Sequence, residues 1–254
     1  MKLFDLEGRV AVVTGGNRGI GLAMARGLAS AGAAVALAGR DAAKGEAAVA
    51  RLRDEGARSV FLAVDVTRPE DCRRMVGDAV ERLGRLDVLV NNAGTSIRKQ
   101  PQDLTEADWR TVLDTNLTST FLCSQAAYPE MKRAGGGKIV NIGSMQSIFG
   151  APYGAAYSAS KGGVVQLTRS MATAWAVDNI QVNVVLPGWI DTELTRGARR
   201  QVDGLHDSVL ARTPAGRWGV PDDLGGIAVF LAAPASDFVT GAAIPVDGGF
   251  SAQG

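Results

Sequence analysis

Short, nearly continuous apolar runs alternate along the chain with longer stretches whose apolar positions recur at helical spacing. Residues 10–13, 35–38, 60–64, 87–90, 138–142, 180–186 and 243–246 read as strands. Between them, residues 20–31, 42–55, 69–83, 106–131, 155–177 and 221–232 read as helices, with Thr67 a candidate cap for the third. Strands that lack polar alternation are buried on both faces, and strict strand–helix alternation calls for a parallel sheet with right-handed crossovers. The expected fold is α/β: one doubly wound parallel sheet of about seven strands with helices on both faces. No linker or compositional break divides the chain, so residues 1–254 are expected to form one domain. Only residues 191–213 break the rhythm. They are polar, contain Gly197 and Gly204, and end before Pro214, which predicts an irregular lid over a substrate.

Charge and rare residues then remove whole classes of function. The 27 Lys and Arg against 26 Asp and Glu leave a net charge of +1, with no basic excess for nucleic acid or an anionic membrane. A small-molecule partner is expected, with no nucleic acid and no membrane. Cys72 and Cys123 stand alone, so no disulfide framework is expected. With His206 as the single imidazole, two-histidine zinc sites are impossible, and no metal site is expected. The apolar run at 10–13 is too short for the core of a signal peptide, and no stretch is long enough to span a bilayer, which predicts a cytoplasmic location.

The first strand runs into Thr14-Gly15-Gly16-Asn17-Arg18-Gly19-Ile20-Gly21, within which a helix begins. Glycines there permit a tight turn and let a pyrophosphate approach backbone N–H groups at a positive helix end. The second strand ends in Ala38-Gly39-Arg40, with glycine where a carboxylate would take the ribose 2′-hydroxyl of NAD. Arg40 and Arg18 could grip a 2′-phosphate instead, so NADP is favoured with NAD still open. Gly135-Gly136-Gly137-Lys138 lacks the Ser or Thr and the following helix of a P-loop, and reads as a plain loop.

Tyr157 and Lys161 are four residues apart at the start of the longest predicted helix, on one face. Ser144 closes the fifth predicted strand. A free phenol, with a pKa of about 10, is a poor base near neutrality, and a fixed cation beside it would favour the phenolate. Together with Asn91-Asn92-Ala93-Gly94, Asn116, Pro187-Gly188 and the closing Val246-Asp247-Gly248-Gly249, these motifs resemble, in order and spacing, the short-chain dehydrogenase/reductase family over essentially the whole chain.

The resemblance implies a Rossmann-like domain and a reversible hydride transfer between a secondary alcohol and a ketone. It implies Tyr157 as general acid/base, Lys161 lowering its pKa and holding the nicotinamide ribose, Ser144 bonding the reacting oxygen, and Asn116 holding a relay water. Around the cofactor it places the glycine-loop residues Gly15, Asn17, Arg18, Gly19, Ile20 and Gly21, then Arg40, Asp65 and Val66. Asn92, Ala93 and Gly94 border it as well, as do Pro187, Gly188, Ile190 and Thr192. It further implies a homotetramer in which residues 106–131 and 155–177 pack between subunits.

Within the family, the phrases at 144–147 and 212–219 look most like gluconate 5-dehydrogenases and deoxygluconate dehydrogenases, which act on sugar acids. Arg98 could pair with a substrate carboxylate, or Arg98-Lys99 could be a solvated pair. Gln146 and Trp189, with Tyr153 and His206, are further pocket candidates. Two other readings remain open. One is a 3-oxoacyl carrier-protein reductase that uses Arg199-Arg200 to meet an acidic carrier; the other is a cofactor-binding regulator without chemistry.

Overall fold

The structure, a computed structural model, describes residues 2–253. The chain alternates as read: β1 (Val10–Thr14), α1 (Gly19–Ser30), β2 (Ala34–Gly39), α2 (Ala42–Asp54), β3 (Ser59–Ala63), α3 (Pro69–Leu83) and β4 (Val88–Asn91). It continues through α4 (Glu106–Leu113), α5 (Ser119–Arg133), β5 (Gly137–Ile142), α6 (Ala155–Trp175), β6 (Ile180–Pro187), α7 (Glu193–Gln201), α8 (Leu205–Arg212), α9 (Gly225–Ala232) and β7 (Ala243–Val246). All seven strands are parallel, in the order β3-β2-β1-β4-β5-β6-β7.

Neighbouring residues of one strand feed opposite cores, which is why the strands read as unbroken apolar runs. Val13 and Leu37 pack with Met24 and Leu28 of α1, Val49 of α2 and Leu231 of α9. Val12 and Ala38 point the other way, toward Met75 of α3, Met131 of α5 and Met171 of α6. Burying both faces makes pleat register decisive, since a one-residue slip would exchange the two cores. The order reverses between β1 and β4, and a cleft opens at the carboxyl ends of these strands.

Four local expectations differ from the structure. The cap of α3 is Arg68, with no side-chain bond, while Thr67 donates its hydroxyl to Asp65 (2.7 Å). The helix expected over 106–131 is interrupted by a π-helical turn at Asp114–Thr118, a feature without a hydrophobic signature. The excursion at 191–213 is helical, not irregular. Thr192 caps α7 through the Thr195 N–H, and a polar composition conceals a short amphipathic helix with Ala198 buried. Residues 221–224 form a 3-10 turn before α9.

Candidate active site

The glycine loop is set by close approach and not by glycine content alone. Gly15 and Gly19 have φ of 62° and 52°, in the left-handed region. A Cβ on Gly21 would collide with Asn92 Nδ2 and stand 2.5 Å from the Gly15 carbonyl oxygen. Asn92 Nδ2 donates to the Thr14 and Gly15 carbonyls at 3.0 and 3.1 Å, and Thr14 Oγ1 accepts from the Asn92 and Ala93 N–H groups at 3.0 and 3.1 Å. These bonds lash the end of β4 to the loop. The cleft beside them, of about 540 Å³, is walled by Gly15, Asn17, Arg18, Arg40, Asp65 and Val66 among others. It adjoins a second cavity of about 160 Å³, with which it shares Asn92 and Gly94.

Ser144, Tyr157 and Lys161 line that second cavity, together with Ile20, Pro187, Gly188, Ile190 and Thr192. Ser144 follows β5 and opens a 3-10 turn over Met145–Ser147, where its Oγ accepts from the Gln146 N–H at 3.1 Å. That bond occupies a lone pair and leaves the hydroxyl proton free to donate toward the cavity. Lys161 lies one turn after Tyr157 in α6 and is 4% exposed. Its ammonium donates to the Ile142 carbonyl (2.7 Å) and sits 5.8 Å from the Tyr157 ring centroid. Burial pulls the Lys161 pKa down to about 8.

Burial pushes the Tyr157 phenol up from its ordinary value, and the facing Ser144 hydroxyl and the Arg98 charge draw it part of the way back. The Lys161 ammonium is turned to the Ile142 carbonyl and makes no hydrogen bond to the phenol.

Asn116 sits in the π-helical turn, 1% exposed. Its Oδ1 accepts from the Thr95 N–H (2.8 Å), and its Nδ2 donates to the Thr95 carbonyl and to Ser160 Oγ, both at 3.0 Å. The side-chain amide of Asn116, the residue expected to hold a relay water, is bonded to Thr95 and Ser160. It braces the strand-end loop that leads to Arg98.

Arg98 reaches the cavity; Lys99 turns away to pair with Asp108 at 2.7 Å. Arg98 donates to the Leu194 carbonyl (3.1 Å) and to Gln201 Oε1 (3.2 Å), both on α7. Burial lowers its pKa, partly opposed by Tyr153 and Tyr157. Among the described residues it has no carboxylate partner.

The family model described as enoyl-(acyl carrier protein) reductase matches residues 15–251. The chain is 41% identical to 2-dehydro-3-deoxy-D-gluconate 5-dehydrogenase of Escherichia coli (strain K12), covering 100% of this chain and 99% of that protein. It is 42% identical to gluconate 5-dehydrogenase of Gluconobacter oxydans, over 98% of this chain and 97% of that one. A crystal structure of a gluconate 5-dehydrogenase from Burkholderia cenocepacia, in complex with NADP and tartrate, superimposes with a TM-score of 0.95 at 42% identity, covering 100% and 99% of the two chains. The chain belongs to the short-chain dehydrogenase/reductase family.

In this short-chain dehydrogenase/reductase, Gln146, Tyr153 and Trp189 join Arg98 around the cavity, as expected of pocket residues. His206 does not: it stacks on Trp218 at 6.0 Å, behind Trp189. Arg40 lies at the cleft without a hydrogen bond or ion pair among the described residues. Arg18, its intended companion, instead pairs with Glu193 at the start of α7. Of the Arg199-Arg200 pair, Arg199 pairs with Asp191 and lies over Trp218 (4.2 Å), while Arg200 is exposed. Gly135-Gly136-Gly137-Lys138 leads into β5, far along the strand from the cleft, with Gly137 already in the strand.

Leu194 and Thr195, from the unexpected α7, also wall the cavity, as does Ser96. No sequence pattern pointed to them, nor to the Ile142 carbonyl that holds Lys161. Among the described residues no cluster of three or more His, Cys, Asp or Glu could hold a metal, and no helix is long and apolar enough to cross a membrane.

Proposed function

We propose that this enzyme interconverts a secondary alcohol and a ketone on a sugar acid, with NADP as its cofactor. The observation that carries the substrate class is Arg98, a partly buried guanidinium in the cavity of Tyr157 whose recorded partners are all neutral oxygens. A planar fork so placed favours a carboxylate, and every charge-assisted bond to it would gain from the low local dielectric. The tartrate of the Burkholderia relative's structure is itself a hydroxy acid, and the E. coli and Gluconobacter relatives are named for sugar acids.

The residues present fit a dinucleotide. Gly15 and Gly21 admit no side chain, and the loop backbone at Gly15, Asn17 and Arg18, which walls the cleft, suits a pyrophosphate. Asn17, Gly19, Asp65, Val66, Asn92, Ala93 and Gly94 would border the adenosine half, and Pro187, Gly188, Ile190 and Thr192 the nicotinamide half. Bound nicotinamide supplies or takes the hydride.

The protein handles the proton. In oxidation Tyr157 as phenolate takes the alcohol proton, while Ser144, its hydroxyl held as a donor, stabilises the oxygen as charge shifts. Lys161 keeps a cation beside the phenol, 5.8 Å from its ring centroid, and would hold the nicotinamide ribose. In reduction Tyr157 returns the proton to the forming alkoxide. The intact set argues against a regulator without chemistry.

Arg40 carries the preference for NADP. Arg40→Ala is expected to raise the KM for NADP⁺ by about 10- to 100-fold, the scale of one charge-assisted bond, with the KM for NAD⁺ nearly unchanged. Equal effects on both cofactors in initial-rate assays would contradict this role. The same reading places the enzyme in the cytoplasm as a homotetramer, with Trp109 of α4 (38% exposed) and Phe121 of α5 (43% exposed) covered between subunits. Light scattering should return about four times the 26.4 kDa chain mass; a monomer mass would contradict it.

A further inference from the structure

The turn after β5 carries a second hydroxyl that the proton transfer does not use. Ser147 ends the 3-10 turn that Ser144 opens. Its Oγ accepts from the Ser144 backbone N–H at 3.1 Å and donates to the Lys161 main-chain carbonyl at 2.8 Å. One side chain therefore bridges the strand end that carries Ser144 and the helix turn that carries Tyr157 and Lys161. Its seat is a built one. A Cβ on Gly143 would overlap Leu186 and stand 3.0 Å from Ser147 Oγ, so only glycine before Ser144 leaves this hydroxyl its place.

We propose that Ser147 is a positioning residue, whose two hydrogen bonds fix the Ser144 hydroxyl relative to the Tyr157 phenol so that both reach one substrate oxygen. This rests on the reading of Ser144 and Tyr157 given under Proposed function. The Ser144 Oγ is itself held by the Gln146 N–H from within the same turn, so moving the turn moves the hydroxyl. Proton transfer needs heavy-atom separations of about 2.6–3.2 Å, and a displacement of about 1 Å can cost about 100-fold in rate. Arg98, Tyr153 and Lys161 share the cavity with the phenol and approach it from elsewhere. Loss of the Ser147 bonds would therefore loosen the strand end that carries Ser144 from the helix turn that carries Tyr157. Because Ser144 draws the phenol down, its retreat leaves Tyr157 harder to ionise.

The test compares wild type, Ser147→Ala, Ser147→Thr and Tyr157→Phe as full-length enzymes, on an alcohol that the wild type oxidises with NADP⁺. Ser147→Ala is expected to lose about 10- to 100-fold in kcat, keep its KM for NADP⁺ within about twofold, and shift the midpoint of its kcat–pH profile upward. Ser147→Thr, which restores the hydroxyl, is expected to recover activity and the original midpoint. A loss caused by loosened packing alone would lower the melting temperature without moving that midpoint.

Wild-type kcat and midpoint in Ser147→Ala overturn the proposal, as does a Thr variant equally slow at an unmoved midpoint. Should the Ala variant not fold, Ser147→Cys, a weaker donor and acceptor, is read by the same two quantities with the same meanings. Wild-type turnover in Tyr157→Phe overturns the catalytic reading and this proposal together; an inactive Tyr157→Phe beside an unaffected Ser147→Ala overturns this proposal alone.

Discussion

Tyr157→Phe should lower kcat by about 10²- to 10⁴-fold, the usual contribution of a positioned acid or base, and leave the Kd for NADPH within about twofold. The change deletes one hydroxyl and retains the ring beside which the Lys161 ammonium sits, at 5.8 Å from the centroid. Ser144 remains as a donor, held by the Gln146 N–H, but the phenol assigned to exchange the proton is gone. Initial rates measure the loss, and the fluorescence of bound NADPH measures affinity. Equal losses in both would show that Tyr157 only binds cofactor, and an unchanged kcat would remove it from the chemistry.

Lys161→Met is expected to abolish turnover yet stabilise the fold by about 2 kcal/mol at pH 7, because a buried ammonium costs more than its single hydrogen bond to the Ile142 carbonyl returns. The sign follows from the proton balance. The folded pKa of Lys161 is about 8 against the ordinary lysine value of 10.5, so between these values the unfolded chain binds more protons. Wild-type stability therefore rises with pH across that window, and the full penalty stands below it. The advantage of Lys161→Met should be greatest below pH 8 and shrink toward pH 10.5. Urea unfolding at both ends of the window checks this. A variant less stable than wild type at pH 7 would show that the ammonium stabilises its site. Gain of stability with loss of activity is the trade expected of a site built to hold a charge away from water.

The strands were legible because burial on both faces removes polar alternation, so Val12 and Val13 can serve opposite cores within one apolar run. The π-helical turn at Asn116 was not, since it changes hydrogen bonding without changing composition. Polar α7 looked irregular because one small buried residue, Ala198, is most of its core face. At the site, the resemblance to the family, with the Tyr157–Lys161 spacing, pointed to Ser144, Tyr157 and Lys161, and the structure brings all three to one cavity. Partners were another matter. Nothing local to Arg18 announces Glu193, which lies 175 residues away, and nothing local to Lys161 announces the Ile142 carbonyl. Backbone acceptors carry no sequence signal, so the electrostatic state of Tyr157 could only be read from the fold.

The most direct measurement of the central claim is the initial rate of NADPH formation by purified wild-type and Arg98→Ala enzyme, with aldonic acids and with the corresponding neutral polyols. Oxidation of an aldonic acid with NADP⁺, at a kcat/KM lowered about 10- to 100-fold in Arg98→Ala, is the predicted result, since a lost guanidinium–carboxylate pair costs about 1.5–3 kcal/mol. Turnover confined to neutral alcohols or to acyl thioesters, or an aldonic acid oxidised equally well without Arg98, would contradict it.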